Sequence, residues 1–312
     1  PRGATTDVFS VFNETFNRTV SANLGMSYSL GNVLIEAGID NICRWLPFEA
    51  NKNDIINRLR NKMIRPTTIP HALEDLLIEQ SVGRECLRLA FEHHCMLAVG
   101  LKGIQQQRTI ADTFMQIATG QTLINMLQLN LIVGSGGVLS HAPSRNQAAL
   151  MLIDGFQPEG ITELAVDSIF MMPQLGVLSK VMPEAAVQVF HRDCLIYLGT
   201  CIAPKGEVQK EGVVIAKIEI ELPEEKTEKI ELKSGEIKVI PLAVGQTAKA
   251  KIQPSRKFDV GAGAGEEKVA TLRGGTTGII LDGRGRPLTF SKDQNDRIRK
   301  NREWLTAFSL PF

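Results

Sequence analysis

The stretch LQLNLIVGSGG, residues 127–137, joins an apolar run of strand length (Leu127 to Val133) to a glycine loop, and its reading together with the next thirty residues decides the fold. A helix is expected from near Ser144 to just before Gly155, and a second strand over Ile161 to Phe170. Strand, glycine loop and helix in that order predict an α/β layer. In the loop, Gly134, Ser135, Gly136 and Gly137 carry almost no side chain, so a backbone could lie against a ligand there. The spacing fits neither the G-x-G-x-x-G dinucleotide fingerprint nor a P-loop, since no Lys-Ser/Thr comes after it. By itself the loop serves equally well as a plain strand-to-helix connection.

Upstream, residues 51–119 have helical composition. Leu73, Leu77, Gln80, Leu87, His94 and Leu97 recur mostly at spacings of three, four or seven, which predicts a long amphipathic helix after Pro70. Further upstream, Val8 to Phe12 and Phe16 to Val20 read as a β-hairpin around the turn Asn13-Glu14-Thr15. It is entered through GATTD, residues 3–7. A glycine among small and hydroxyl residues lets backbone N–H groups approach an oxyanion, with Thr5 and Thr6 as further donors; the same pattern also makes a self-satisfied tight turn.

Downstream, composition shifts near residue 204. Val213 to Ile220, Lys229 to Leu232 and Glu236 to Ile240 alternate apolar with charged residues, the pattern of a half-solvated antiparallel sheet. Gly261, Gly263 and Gly265 suit hairpin turns, and a last helix is expected from Ser291, with Ser291 as its cap, to about Phe308. Two domains are therefore expected, residues 1–203 and a β-rich segment 204–312.

The 312 residues carry 35 Lys and Arg against 34 Asp and Glu, a net charge of +1, which leaves no electrostatic footprint for nucleic acid or an anionic membrane. No apolar run reaches the roughly 18 residues of a membrane span, and no leader pattern opens the chain. Five widely spaced cysteines without a C-x-x-C pair read as reduced thiols, so a cytoplasmic location is expected. His93, His94 and Cys95 are consecutive on a helix and point about 100° apart, so they do not converge on a metal. His191 and Cys194, three apart, share a face and read as core or surface residues rather than ligands. No nucleophile elbow with a Ser-His-Asp set is present, so no catalytic residue and no metal site are assigned.

Taken together, RGATTDVFSV (2–11), NRTVSANLGMSYS (17–29), NKMIRPTTIP (61–70), IEQSVGRECLRLAFEHH (78–94), QQQRTIADTF (105–114), LIVGSGGVLSHAP (131–143), KIQPSRKFDVGAG (251–263) and LRGGTTGIILDGRGRPL (272–288) closely resemble the accessory L-component, or MutL, family of glutamate (methylaspartate) mutase. The resemblance spans nearly the whole chain. It implies one lobe of an actin-like, Hsp70-like and sugar-kinase-like ATPase (ribonuclease H-like) with a helical insertion at about 51–119. It also implies an ATP-dependent reactivating chaperone for an adenosylcobalamin-dependent mutase, with ATP or ADP and Mg²⁺ as cofactors and cobalamin belonging to the partner. On that template Gly3, Ala4, Thr5, Thr6 and Asp7 resemble the second phosphate loop, and Gly134, Ser135, Gly136 and Gly137 the adenosine loop.

The family pattern places an Asp three residues before the glycine matched by Gly3, which here falls ahead of Pro1. The expectation is that these residues are the C-terminal part of a longer protein whose first lobe precedes them. Arg2 stands where the family has glycine, and Ser21-Ala22-Asn23 where relatives carry acidic residues, so nucleotide binding is more secure than hydrolysis. The segment from 204 is the expected partner-docking element, although no exposed apolar patch is legible. Competing readings are an ATP-dependent amidohydrolase of the hydantoinase or oxoprolinase type, and a scaffold of the same fold that has lost its nucleotide. Homo-oligomerisation is left open.

Overall fold

A computed structural model describes residues 3–12, 14–99, 122–224 and 226–312. Arg2, the QQQRTIADTF motif and the end of the expected helical insertion lie outside the described residues. The mixed α/β class expected from the glycine-loop stretch is what is seen.

The chain opens with a two-stranded antiparallel hairpin, β1 (Thr6–Phe12) and β2 (Thr15–Ser21), turned at Glu14 with φ 64°. Its inner face puts Val8 into the same core as Val82, Cys86, Leu89 and Ala90 of the long helix described next. Three helices come next, α1 (Leu30–Ala37), α2 (Ile39–Cys43) and α3 (Lys52–Ile64), then the long α4 (Leu73–Leu97). The helix after Pro70 thus forms where the apolar spacing places it. It is buried along most of its middle because the hairpin, α1 and α2 cover part of it and the next helical layer the rest.

β3 (Leu131–Gly134), α5 (Gly137–Ser140), α6 (Arg145–Phe156), β4 (Gly160–Asp167), α7 (Met172–Leu178), α8 (Pro183–Val189) and β5 (Leu195–Ala203) form the next run. Ser144 caps α6 in a capping box with Gln147. The helix continues through Gly155 rather than stopping before it. A Cβ at Gly155 would lie 2.7 Å from Leu87 Cβ, so this glycine serves the close crossing of α4 and α6 and not a helix end.

From 204 onward come β6 (Val214–Leu222), β7 (Lys226–Lys233), β8 (Ile237–Ile240), β9 (Thr247–Pro254), β10 (Lys268–Arg273), β11 (Gly278–Asp282) and α9 (Gln294–Ala307). Asp293, and not Ser291, caps α9, accepting from the Asp296 N–H at 2.7 Å. The half-wet sheet is antiparallel, in the order β10-β9-β6-β7. The other sheet runs β3-β4-β5-β11-β8, so residues on both sides of 204 share one sheet; Trp304, Leu305 and Phe308 of α9 lie in the same core as Leu150, Leu152 and Leu164.

A buried ionic network fastens these parts. Asp154 on α6 accepts from Arg84 of α4 at 2.6 Å and from Arg284 at 2.8 Å; Asp282, ending β11, accepts from Arg284 at 2.9 Å and Arg286 at 2.8 Å. All five side chains are at most 6% exposed. Burial alone would raise the Asp282 carboxyl's pKa; the adjoining Arg284 and Arg286 guanidiniums outweigh it and hold the group below the usual carboxylate range.

Candidate functional site

Thr6, at the end of the first candidate loop, and Val138, the residue after the second, both touch α4 within one turn of the helix. Gly3, Ala4 and Thr5 are exposed, and Thr6 opens β1. The Thr6 hydroxyl lies 3.3 Å from Cys86 Sγ on α4. The carbonyls of Gly3 and Ala4 are claimed from below: Ser27 Oγ donates to Gly3 O at 3.0 Å, and Ser29 Oγ to Ala4 O at 2.7 Å. Gly25 admits this approach, because a Cβ there would sit 2.3 Å from Gly3 O. Asp7 pairs with Arg18 across the hairpin at 2.9 Å, and Oδ2 is the accepting atom.

His94 pins the hairpin from the far end of α4. Its ring nitrogens lie 2.9 Å from Thr19 Oγ1 and 2.7 Å from Ser10 Oγ, and burial pushes its pKa down, so the ring is held neutral between two hydroxyls. Its neighbours His93 and Cys95 point elsewhere. Cys194 is buried and His191 exposed, 3.3 Å from the Tyr197 hydroxyl. Among the described residues no three His, Cys, Asp or Glu side chains are grouped to hold a metal ion.

In the glycine loop the four residues divide the work. Gly134 faces the core: a Cβ would meet Leu139 and Leu152 side chains at 2.8 Å. Gly136 has φ +102°, and a Cβ there would have nothing within 4 Å. Its backbone therefore borders open space in a conformation that side chains rarely adopt. Gly137 is the buried first residue of α5. Ser135 Oγ donates a long 3.5 Å bond to Asp167 Oδ2.

Val138, next after the loop, lies 3.3 Å from where a Gly83 Cβ would be on α4, with Met26 Cε at 4.0 Å. Gly83 and Cys86 are three residues apart, about 4.5 Å along the helix. The strand ends agree with this placement, since β3 and β4 are parallel, and their C-terminal ends are the edge where ligands bind in open α/β sheets.

Four supporting residues were not singled out in the sequence. Gly25, Ser27 and Ser29 sit within the NRTVSANLGMSYS motif, but nothing in the spacing shows that they reach back to Gly3 and Ala4. Asp167 is fully buried at the end of β4 and its carboxylate accepts from the N–H groups of Ile169, Met171 and Met172 at 3.3–3.4 Å, while Ser140 Oγ donates to its carbonyl at 2.6 Å. Its legible signal is an acid closing an apolar strand. A shallow concavity of about 570 Å³ lies elsewhere, on the outer face of α9 between Arg299, Arg302 and Thr306.

The model of a family described as MutL protein matches residues 3–194, a span that holds both loops and Asp167 and stops short of the motifs at 251–288. No curated protein and no solved structure matches the chain.

Proposed function

The chain belongs to the MutL protein family, the accessory-component family of glutamate mutase, and from that premise we propose that it is an ATP-operated reactivating accessory of an adenosylcobalamin-dependent mutase, built on an actin-like ATPase lobe. The observation that carries the nucleotide part is the convergence of Thr6 and Val138 on Cys86 and Gly83 of one helix. Gly136 supplies the cradle: its half-buried backbone and open Cβ position admit a ligand that a side chain would obstruct. Gly3 to Thr6 would face the phosphates and Gly134 to Gly137 the adenosine. Ser27 and Ser29 position the first loop by holding its carbonyls. Mg²⁺ would arrive with the phosphates. Asp7 is tied to Arg18, and Asp167 is engaged by backbone N–H groups, so neither carboxylate is free as it stands.

Nucleotide works such a device only by binding two conformations unequally, and a shift from 1:99 to 99:1 takes about 10⁴-fold in affinity. The segment from 204, the partner-docking element expected from the sequence, is built into the lobe, since its β11, β8 and α9 complete the main sheet and core. Calorimetric titration of MgATP into the chain is the test. Binding that Gly136→Glu abolishes, with the thermal transition still cooperative, supports the reading. A chain that binds no MgATP fits the scaffold reading and overturns this one.

A further inference from the structure

The helices beyond Asp167 and the turns that join them expose several large apolar side chains. α7 and α8 are seven residues each, far below the length at which a helix holds itself in water, so packing must supply their stability. Within them only Leu175 and Ala186 are buried. Around them Ile169, Phe170, Val177, Val181, Met182 and Val187 are each 53–77% exposed. That amounts to roughly 600 Å² of apolar surface, the upper end for a monomer, and most of the ~800 Å² that each side of a standard protein interface buries.

The chemistry of the face selects its occupant. Lys180 and Glu184 balance each other in sign, and the flanking Arg192 and Asp193 are paired at 2.8 Å, so the surface has no excess charge to attract a polyanion or an acidic membrane. Met171, Met172 and Met182 add unbranched, adaptable side chains of the kind that conform to a partner's relief.

The face is also linked to the glycine loop. The Asp167 carboxylate receives the N–H groups of Met171 and Met172 at the start of α7, while Ser135 of the loop donates to the same carboxylate and Ser140 to the Asp167 carbonyl. One residue, Asp167, is thus bonded both to the glycine loop and to the base of α7.

We infer that the α7–α8 pair is the surface that grips the mutase, with an apolar face of that enzyme as its occupant, and that Asp167 transmits the state of the glycine loop to it. This rests on the mutase-accessory reading above. The experiment is a titration of purified adenosylcobalamin-dependent glutamate mutase against the wild-type chain, Val177→Asp/Val181→Asp, Phe16→Asp on the exposed hairpin face, and Asp167→Asn, each with MgATP and with MgADP. The expected result is binding at least 10-fold weaker in Val177→Asp/Val181→Asp with an unchanged melting temperature, and unaltered in Phe16→Asp. Asp167→Asn should still bind but lose most of the difference between ATP and ADP.

Undiminished binding by Val177→Asp/Val181→Asp overturns the assignment alone. So does light scattering that shows this variant has lost self-association rather than mutase binding, since the face would then join two copies. A wild-type chain that binds no mutase in either nucleotide overturns the accessory reading and this inference with it.

Discussion

Two buried aspartates, both ending strands of one sheet, are held in opposite ways. Asp282 at the end of β11 is gripped by Arg284 and Arg286, and through Arg284 it is joined to Asp154 and Arg84. Asp167 at the end of β4 meets no arginine within hydrogen-bonding distance among the described residues; backbone N–H groups and a serine surround it. Asp282 is held by short bonds from cations, at 2.8–2.9 Å, and removing a cation strands an ion; Asp167 is held by uncharged peptide N–H groups at 3.3–3.4 Å, outside the short range of strong charge-assisted bonds. The first centre locks segments 70 to 130 residues apart. The second lies where a glycine loop meets two lightly packed helices, and it is suited to shift.

The harshest way to break this contrast is Arg284→Met. It leaves Asp154 and Asp282 buried with part of their pairing gone, and should cost about 3–5 kcal/mol. Thermal denaturation reads this as a drop of about 6–10 °C for a chain of this size, at about 2 °C per kcal/mol. A drop of a degree or two would show that the network is no lock. Asp167→Asn is milder, about 1–3 kcal/mol, since one acceptor oxygen survives. Hydrogen exchange should quicken at residues 168–189 and stay slow in α6 and β11; uniform quickening would mean that the two centres form one cooperative unit.

Acid sharpens the contrast further. The Asp282 pKa is lower folded than the ordinary value of about 3.9, so its contribution is complete above that pH and is lost as pH falls toward the folded value. Urea midpoints of the wild type should decline steeply below about pH 4, and less steeply in Arg284→Met. A smaller effect belongs to His94, whose folded pKa lies below the ordinary value of about 6.5. Its neutral ring contributes above that value, and the contribution fades as pH falls below it. His94→Gln, which keeps a donor and an acceptor for Thr19 and Ser10, should flatten that part of the profile by a few tenths of a kcal/mol to about 1 kcal/mol; an unchanged slope would assign it elsewhere.

Much of the secondary structure was legible because it is written in neighbouring residues. The alternation of Val8 to Phe12 and Phe16 to Val20 yields the hairpin, and Pro70 followed by leucines at helical spacing yields α4. The end of α6 was misread because glycine has two uses, termination and close packing, and only the position of Leu87 tells them apart. β8 alternates like its neighbours in sequence, yet it joins the other sheet, since a four-residue apolar-polar pattern does not name its partner. At the site, the two loops were visible as small-residue turns; what pins them, Ser27, Ser29 and Asp167, was not, because a hydroxyl's or a carboxylate's partner depends on the fold.

By itself, then, the sequence determined the α/β class, most strands and helices, the two candidate loops and, through its motifs, the family. Those properties arise from steric preference and from hydrophobic periodicity, which act over a few residues. Only the tertiary structure decided that Thr6 and Val138 meet one turn of α4, that Arg284 bridges Asp154 and Asp282, and that α7 and α8 leave Val177 and Val187 exposed. Those properties depend on which distant groups burial brings together, and a linear pattern carries no distance between residues far apart in the chain.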